Sequence, residues 1–221
     1  MRHDAASVVV PMITTAQTCF QSAIATAQNS VLGTGGSPHR HIGAGRFVDH
    51  GHHALMRLDS FRSVGGYDPT FSHNEDAELD IRLRSEGCRI WLEPGAAIEY
   101  YPRSNGRALW LQYFRFGKGR ARTVLKHRVK PQLRQALPLL IPPLLLAAFL
   151  AMPLSLAWGP AMLLAMPALA WACICLGAGP FFALYQRSRC AMGAGIAIMI
   201  MHLAWASGFW SQIVSARQKD R

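Results

Sequence analysis

From Gln135 to Gln186 the chain runs 52 residues without an Asp, Glu, Lys or Arg, and a second such run covers Cys190 to Ala216. At 1.5 Å per residue the first run makes about 78 Å of helix and the second about 40 Å, against a hydrocarbon core of ~30 Å. A buried helical core is the alternative, but soluble cores rarely offer so long an uncharged stretch. Three spans are expected, over residues 137–156, 160–185 and 190–214. They are broken at Trp158-Gly159-Pro160 and at Gln186-Arg187-Ser188-Arg189, and the first is weakened by Pro138, Pro142, Pro143 and Pro153. The charge is elsewhere: up to Ala136 the chain holds 18 of its 23 basic and 11 of its 12 acidic residues, so two solvents are implied.

Four segments follow: residues 1–107, 108–136, 137–216 as the membrane region, and a basic tail over 217–221. A hydrophobic fraction of 51% excludes disordered, collagen-like and disulfide-scaffold classes. Eight basic residues crowd the stretch before the first span, from Arg115 to Arg134, which assigns the soluble part to the cytoplasmic side of a multi-pass inner (plasma) membrane protein. With three spans the tail carrying Arg217, Lys219 and Arg221 falls outside, unless the first segment is re-entrant. A signal peptide is disfavoured, because the apolar run from Ala5 to Ile13 is short and holds Pro11. Cys19 and Cys88 are the only cysteines of the soluble part, which suits a reducing compartment with no disulfide framework.

The soluble part reads as short α and β pieces. A helix is expected over 16–28, then a flexible loop with Gly33, Gly35, Gly36 and Pro38 that could sit against a ligand. A strand is expected over 47–57 and a short helix over 59–64, stopped by Gly65-Gly66. Ser72-His73-Asn74-Glu75 fits a capping box for a helix to Glu86, strands follow at 89–92 and 97–101, and a long helix at 108–129. Glu75, Asp76, Glu78 and Asp80 open the helix after Asn74. Acids there favour the macrodipole, with Glu78–Arg82 and Asp80–Arg84 as i,i+4 pairs. A carboxylate held at a helix start and facing a cleft also suits a general base for a hydroxyl nucleophile. On a strand, His50 and His52 share a face and permit chelation while His53 faces away; lining a groove or pairing within the fold is the more plausible role, and no metal site is assigned.

Arg57-(x)3-Phe61-(x)2-Val64-Gly65-Gly66-Tyr67-Asp68, followed by Asn74-Glu75-Asp76-(x)-Glu78-Leu79-(x)2-Arg82-Leu83, closely resembles the acceptor half of family 2 glycosyltransferases. Gln112-Tyr113-Phe114-Arg115-Phe116 is similar to that family's Gln-x-x-Arg-Trp motif, with Phe in place of Trp. The basic stretch, the apolar segments and the loop with Asn29-Ser30, Leu32-Gly33 and Gly35-Gly36 resemble the membrane-anchored, succinoglycan-type members. The resemblance implies a partial α/β GT-A domain before an α-helical transmembrane region, acting in inverting transfer from a nucleotide-sugar donor to a lipid-linked acceptor during cell-surface or exopolysaccharide synthesis. It puts Asp76 in the place of the catalytic base and has Glu75 shape that site. Arg115 would steady the leaving diphosphate, and Gln112, Asp49 and Lys118 fall among the substrate-binding positions. It also implies a divalent cation, Mg or Mn, yet the Asp-x-Asp of the family's donor half is not in this sequence. The expectation is a truncated product, a fragment or half of a split enzyme, with a separate donor-binding half as a possible partner.

Arg115, Lys118, Arg122 and Lys126 recur at i+3 or i+4 beside a stripe of Trp110, Phe114, Ala121 and Leu125. That is an interfacial pattern suited to anionic membrane lipid or a polyprenyl diphosphate, and it is no nucleic-acid site, because it abuts a membrane segment. A positive-inside anchor with no ligand remains the plain alternative. Two functional classes stand: a membrane-bound glycosyltransferase or its C-terminal portion, and a non-catalytic membrane protein that keeps an acceptor-like domain for binding or assembly.

Overall fold

The computed structural model describes residues 4–36 and 44–219. Pro38 of the glycine loop and Arg221 of the tail lie outside them. Strand β1 (Ser7–Val10) lies inside a four-stranded mixed sheet, parallel to β5 (Ile90–Leu92) and antiparallel to β4 (His52–Met56), with β3 (Arg46–Val48) on the far side of β5. Strands β2 (Met12–Thr14) and β6 (Ile98–Tyr100) pair in parallel as a small second sheet. The apolar run once weighed as a leader therefore forms two strands, and Val9 is fully buried against Ile90 and Leu92.

Helix α1 (Cys19–Asn29) starts at Thr18, whose hydroxyl accepts from the Gln21 N–H, and ends at Ser30, which opens the single turn of α2 (Val31–Thr34). Helix α3 (Leu58–Ser63) ends at Gly65 and Gly66, both with positive φ as the left-handed stop requires. The expected strand over 47–57 is broken at 49–51. The expected capping box is not made: Asn74 caps α4 (Glu75–Ser85) in the left-handed conformation without a side-chain bond.

Helix α5 (Gly106–His127) links the two halves of the molecule. It is capped by Asn105, whose Oδ1 accepts from Ala108 N–H, and it packs along α9 (Ala194–Lys219), the last helix. Backbones meet there: a Cβ at Gly117 would stand 2.1 Å from the Trp205 carbonyl oxygen, and one at Gly208 would stand 2.0 Å from that of Phe114. Ile24 of α1, Leu109 and Tyr113 of α5 and Ile198 and Met201 of α9 share one buried cluster. The soluble part is thus packed into the helical region.

Short α6 (Leu133–Ala136) leads through a 3-10 turn into α7 (Ile141–Ala157), and α8 (Met166–Tyr185) follows. Three stretches are long and apolar enough to cross a membrane: Leu133–Ala157, Gly159–Tyr185 and Arg189–Gln218. Proline shapes the first. The Leu139 carbonyl faces Pro142 and Pro143 at i+3 and i+4, which have no N–H to give, and the Trp210 indole donates to it at 3.0 Å. Trp205 likewise donates to the Gln135 carbonyl at 3.1 Å, whose i+3 position is Pro138. Backbone groups in lipid need such partners. His202 bonds the Leu32 carbonyl through Nε2 at 2.9 Å and accepts from the Trp171 indole, so it joins helices α2, α8 and α9. One cysteine expectation is corrected: Cys19 and Cys190 form a disulfide, because α1 packs on the link between α8 and α9 and brings their Cα atoms to 4.9 Å.

Glu78 is fully buried and ties the sheet side to α5. Arg82 reaches both its oxygens, and Lys126 Nζ and His127 Nε2 reach Oε1 at 2.7 and 2.8 Å. Lys126 also bonds Asp68 at 2.7 Å, and Arg82 donates to the Val64 carbonyl. Burial works to raise the Glu78 pKa, but the bonds from Arg82, Lys126 and His127 win and hold it at about 2. The i,i+4 pair with Arg82 was expected; the other partners come from long-range packing. Removing one side of a buried ion cluster leaves the rest uncompensated, so Glu78→Gln should destabilise the detergent-solubilised protein by about 3 kcal/mol or more. The pKa is depressed in the folded state, so the cluster contributes fully above about 4.5 and fades as pH falls toward 2. Thermal unfolding across that window should show the variant losing less than the parent; parallel curves would remove Glu78 from its central place.

Candidate active site

Helix α4 has one set of neighbours for each of its faces. Leu79 and Leu83 enter the core, Glu78 and Arg82 meet α5, and Asp76 and Asp80 face the segment that enters β4. His50 Nδ1 pairs with Asp80 Oδ2 at 2.7 Å and His52 Nδ1 with Asp76 Oδ2 at 2.5 Å. The two imidazoles meet edge to face, 4.7 Å between centroids, while His53 is exposed with φ 53°. The break at 49–51 makes this possible, since Gly51 lies against Val9 and its N–H points at Asp80, 3.4 Å away. The expected Asp80–Arg84 pair is therefore not made: His50 holds Asp80, and Arg84 bonds Asp49 at 3.2 Å.

Asp76 is half-accessible at 30%, with Oδ1 accepting from the Ala77 N–H at 2.7 Å. Burial tends to raise its pKa, but the His52 bond, the charges of His50 and His52 and the Ala77 N–H hold the carboxyl well below the usual range. It is ionised at any physiological pH. Tyr67, from the Gly65-Gly66 turn, faces the same acids: burial and then the charges of Asp76, Asp80 and Glu75 raise its pKa, so the phenol stays a donor. The expectation that the histidines pair within the fold is met by His50 and His52, though their partners are not readable from sequence, and Tyr67 has no role in the sequence reading despite the Val-Gly-Gly-Tyr string.

The other expected residues divide. Glu75 begins α4 beside Asp76. Arg115 is exposed and near His73, whose pKa falls through burial and then Arg115 repulsion. Gln112 donates to the Tyr100 hydroxyl at 2.8 Å, so it is engaged under β6. Lys118 is exposed, and Asp49 lies on the wall of a cavity described below. Arg120 was passed over: it is the α5 guanidinium within electrostatic range of Asp76. Gly119 brings α5 there, for a Cβ on it would stand 2.6 Å from the His73 carbonyl oxygen. The basic stripe is also corrected, since Arg122 donates to the Thr70 carbonyl and covers the Phe71 ring at 4.6 Å, and Lys126 is held by Asp68 and Glu78. Two of its four cations serve the fold, because the 68–71 turn tucks beneath α5.

Ligand atoms of His50, His52 and Asp76 lie within 4.8 Å of one another, close enough to gather round one ion. Within the set, the 2.5 Å between His52 and Asp76 is a hydrogen-bond distance, and His50 is bonded to Asp80 outside it at 2.7 Å. This set is also distinct from the Asp-x-Asp that the resemblance implies.

Fold and site define an α/β protein joined to helices long and apolar enough to cross a membrane, with histidine-paired carboxylates at the start of one helix. Over 213 residues the chain is 48% identical to Succinoglycan biosynthesis protein ExoA of Rhizobium meliloti (strain 1021), a match that takes in 96% of this chain and 62% of that protein. The resemblance to succinoglycan-type proteins is thereby shown, and the chain spans somewhat less than two thirds of the curated relative's length. No family model matches the chain, and no solved structure does.

His52→Gln should move the Asp76 titration midpoint upward, because it removes the main bond to the ionised carboxylate. Carboxyl-carbon NMR of Asp-labelled protein in detergent reads this directly. An unmoved midpoint would mean that the pairing is incidental.

Proposed function

We propose that this chain carries the acceptor side of a membrane-bound, inverting family 2 glycosyltransferase of GT-A type, acting on a nucleotide-sugar donor and a lipid-linked acceptor in exopolysaccharide synthesis. The observation that carries the reading is the 48% identity to the succinoglycan protein across nearly the whole chain, with Asp76 ionised at the opening of α4. In this reading Asp76 accepts the proton of the acceptor hydroxyl as that oxygen attacks the anomeric carbon. His52 orients the carboxylate, Glu75 shapes the entrance, and exposed Arg115 meets charge developing on the leaving diphosphate. A divalent ion would stabilise that diphosphate in the family's chemistry, but its Asp-x-Asp ligands are not among these 221 residues, and no step here depends on it.

A second reading, a non-catalytic acceptor-binding or assembly module, draws on the same pKa: a carboxylate held so low is a weak proton acceptor. Transfer of labelled sugar to lipid separates the two. Membranes containing this chain, alone and with the part of the Rhizobium relative it does not cover, are the material. Activity should fall about 10²–10⁴-fold in Asp76→Asn, the scale of general-base catalysis, and stay unchanged in Asp59→Asn, an exposed acid on α3. Near-normal transfer with Asn at 76 would refute the base assignment.

The soluble part is assigned to the cytoplasmic face by the basic residues before the first span, whereas the Cys19–Cys190 disulfide favours an oxidising side. An impermeant maleimide on intact cells should leave Cys88 unmodified. Labelling under conditions that spare cytoplasmic controls would reverse the orientation.

A further inference from the structure

A cavity of about 750 Å³ opens on the face of α4 away from the core, walled by Ala77 and Ile81 of α4, by β3, and by the end of α5 with α6. Its charge is one-sided. Arg46, Arg84, Arg89, Arg120, Lys130 and Arg134 line it, and among the described residues its only carboxylate is Asp49, which Arg84 already holds. Arg120 is the innermost clue: its Nε is buried without a hydrogen-bond partner among the described residues, and it stands within electrostatic range of Arg134. Burial depresses its pKa against the opposing attraction of Asp76, and Arg134 repulsion adds a smaller push in the same direction as burial. Arg134 donates through Nε to Gln132 Oε1 at 2.9 Å and lies within electrostatic range of Asp49, yet the guanidinium groups outnumber the carboxylates here, which favours an added anion, and their planar donors match the oxygens of phosphate. Arg134 belongs to α6, where the first apolar stretch begins, so the cavity sits at the edge of the membrane region.

We infer that this cavity binds the diphosphate group of a substrate, with Arg120 and Arg134 as its central ligands. The inference deepens the transferase reading and rests on it for the choice of a diphosphate. Two sources share that chemistry, a nucleoside diphosphate and an isoprenoid diphosphate. Neither Arg120 nor Arg134 belongs to the Gln112-to-Phe116 motif.

Calorimetric titration of the full chain in detergent with inorganic pyrophosphate tests it, with UDP and geranyl diphosphate as parallel arms. Pyrophosphate should bind one to one, more weakly as salt rises. Arg120→Gln should weaken binding by about tenfold or more, as loss of a charge-assisted contact does, and Arg120→Lys should recover only part of it. Lys130→Gln, at the exposed rim, keeps the test open if the Arg120 variants unfold, and should weaken binding about threefold or more through lost charge. Arg62→Gln on α3 is the charge-matched control and should bind as the parent does. Tighter binding of geranyl diphosphate than of pyrophosphate assigns the lipid source, and tighter UDP the nucleotide. Parental affinity in folded Arg120→Gln, or in Lys130→Gln where Arg120 variants fail to fold, overturns the site, as does no binding in any arm. Because binding is read without turnover, a chain that binds pyrophosphate but transfers no sugar counts against the transferase alone.

Discussion

The fully buried carboxylate of Glu78 sets the relation between α4 and α5, and the rest of the site depends on that relation. A charge with no exposure survives only if its partners nearly surround it, and Arg82, Lys126 and His127 do so from two helices. Lys126 then carries the constraint on to Asp68, and Arg82 carries it to the Val64 carbonyl just before the Gly65-Gly66 turn. That turn places Tyr67 before the acids. One ion cluster thus holds helix, turn and neighbouring helix in register, and it does so with directional bonds that a purely apolar contact would not supply.

Helix α5 has to serve two environments. One side meets α4 and the 68–71 turn through cations; the other meets α9 through backbone contact at Gly117 and Gly208, where a side chain of any size would force the helices apart. The membrane-facing helices show the same economy of polar groups. Proline removes N–H donors from the first apolar stretch, and indoles of α9 supply donors to the Gln135 carbonyl and to the Leu139 carbonyl, which faces proline at both i+3 and i+4. Outer side chains such as Phe149, Leu156 and Leu184 are left largely exposed, which suits lipid contact.

Much of this was legible in the sequence because the relevant signals are local. Uncharged length marked the apolar stretches, the Gly-Gly pair marked the end of α3, and the Glu78–Arg82 spacing marked a helix pair. What was hidden depends on chain segments far apart in sequence. Asp80 was assigned to Arg84, since nothing local reveals that a break at 49–51 delivers His50, 30 residues away, to the same carboxylate. Lys126 and Arg122 read as a lipid-facing stripe because helical periodicity shows which residues share a face but not what covers that face. The disulfide was missed for the same reason, its cysteines being 171 residues apart. Arg120 escaped notice because its significance lies in having no partner for Nε among the described residues, which sequence cannot display.

The charges around α4 are segregated in a way that single pairs do not explain. Asp76 and Asp80 are each matched to one imidazole, so the hydrogen-bonding needs of the face they occupy are met, and Asp76 there is held ionised. The adjacent face, marked by Ala77 and Ile81, carries Arg84 of α4 itself and meets a surplus of guanidinium groups from β3, from Arg89 just before β5, and from α5 and α6. Helical geometry puts positions 76 and 77 about 100° apart, so a ligand crossing the rim of α4 passes from an anionic to a cationic wall within a few ångströms. Arg120 couples the two, being within range of Asp76 on one side and Arg134 on the other. A neutral hydroxyl is accommodated beside the acids and a phosphate beside the guanidinium groups, while the reverse placement sets like charges together. In the proposed reading this arrangement orients a molecule that carries both groups, and it is the Glu78 cluster that keeps α5, and with it Arg120, in place.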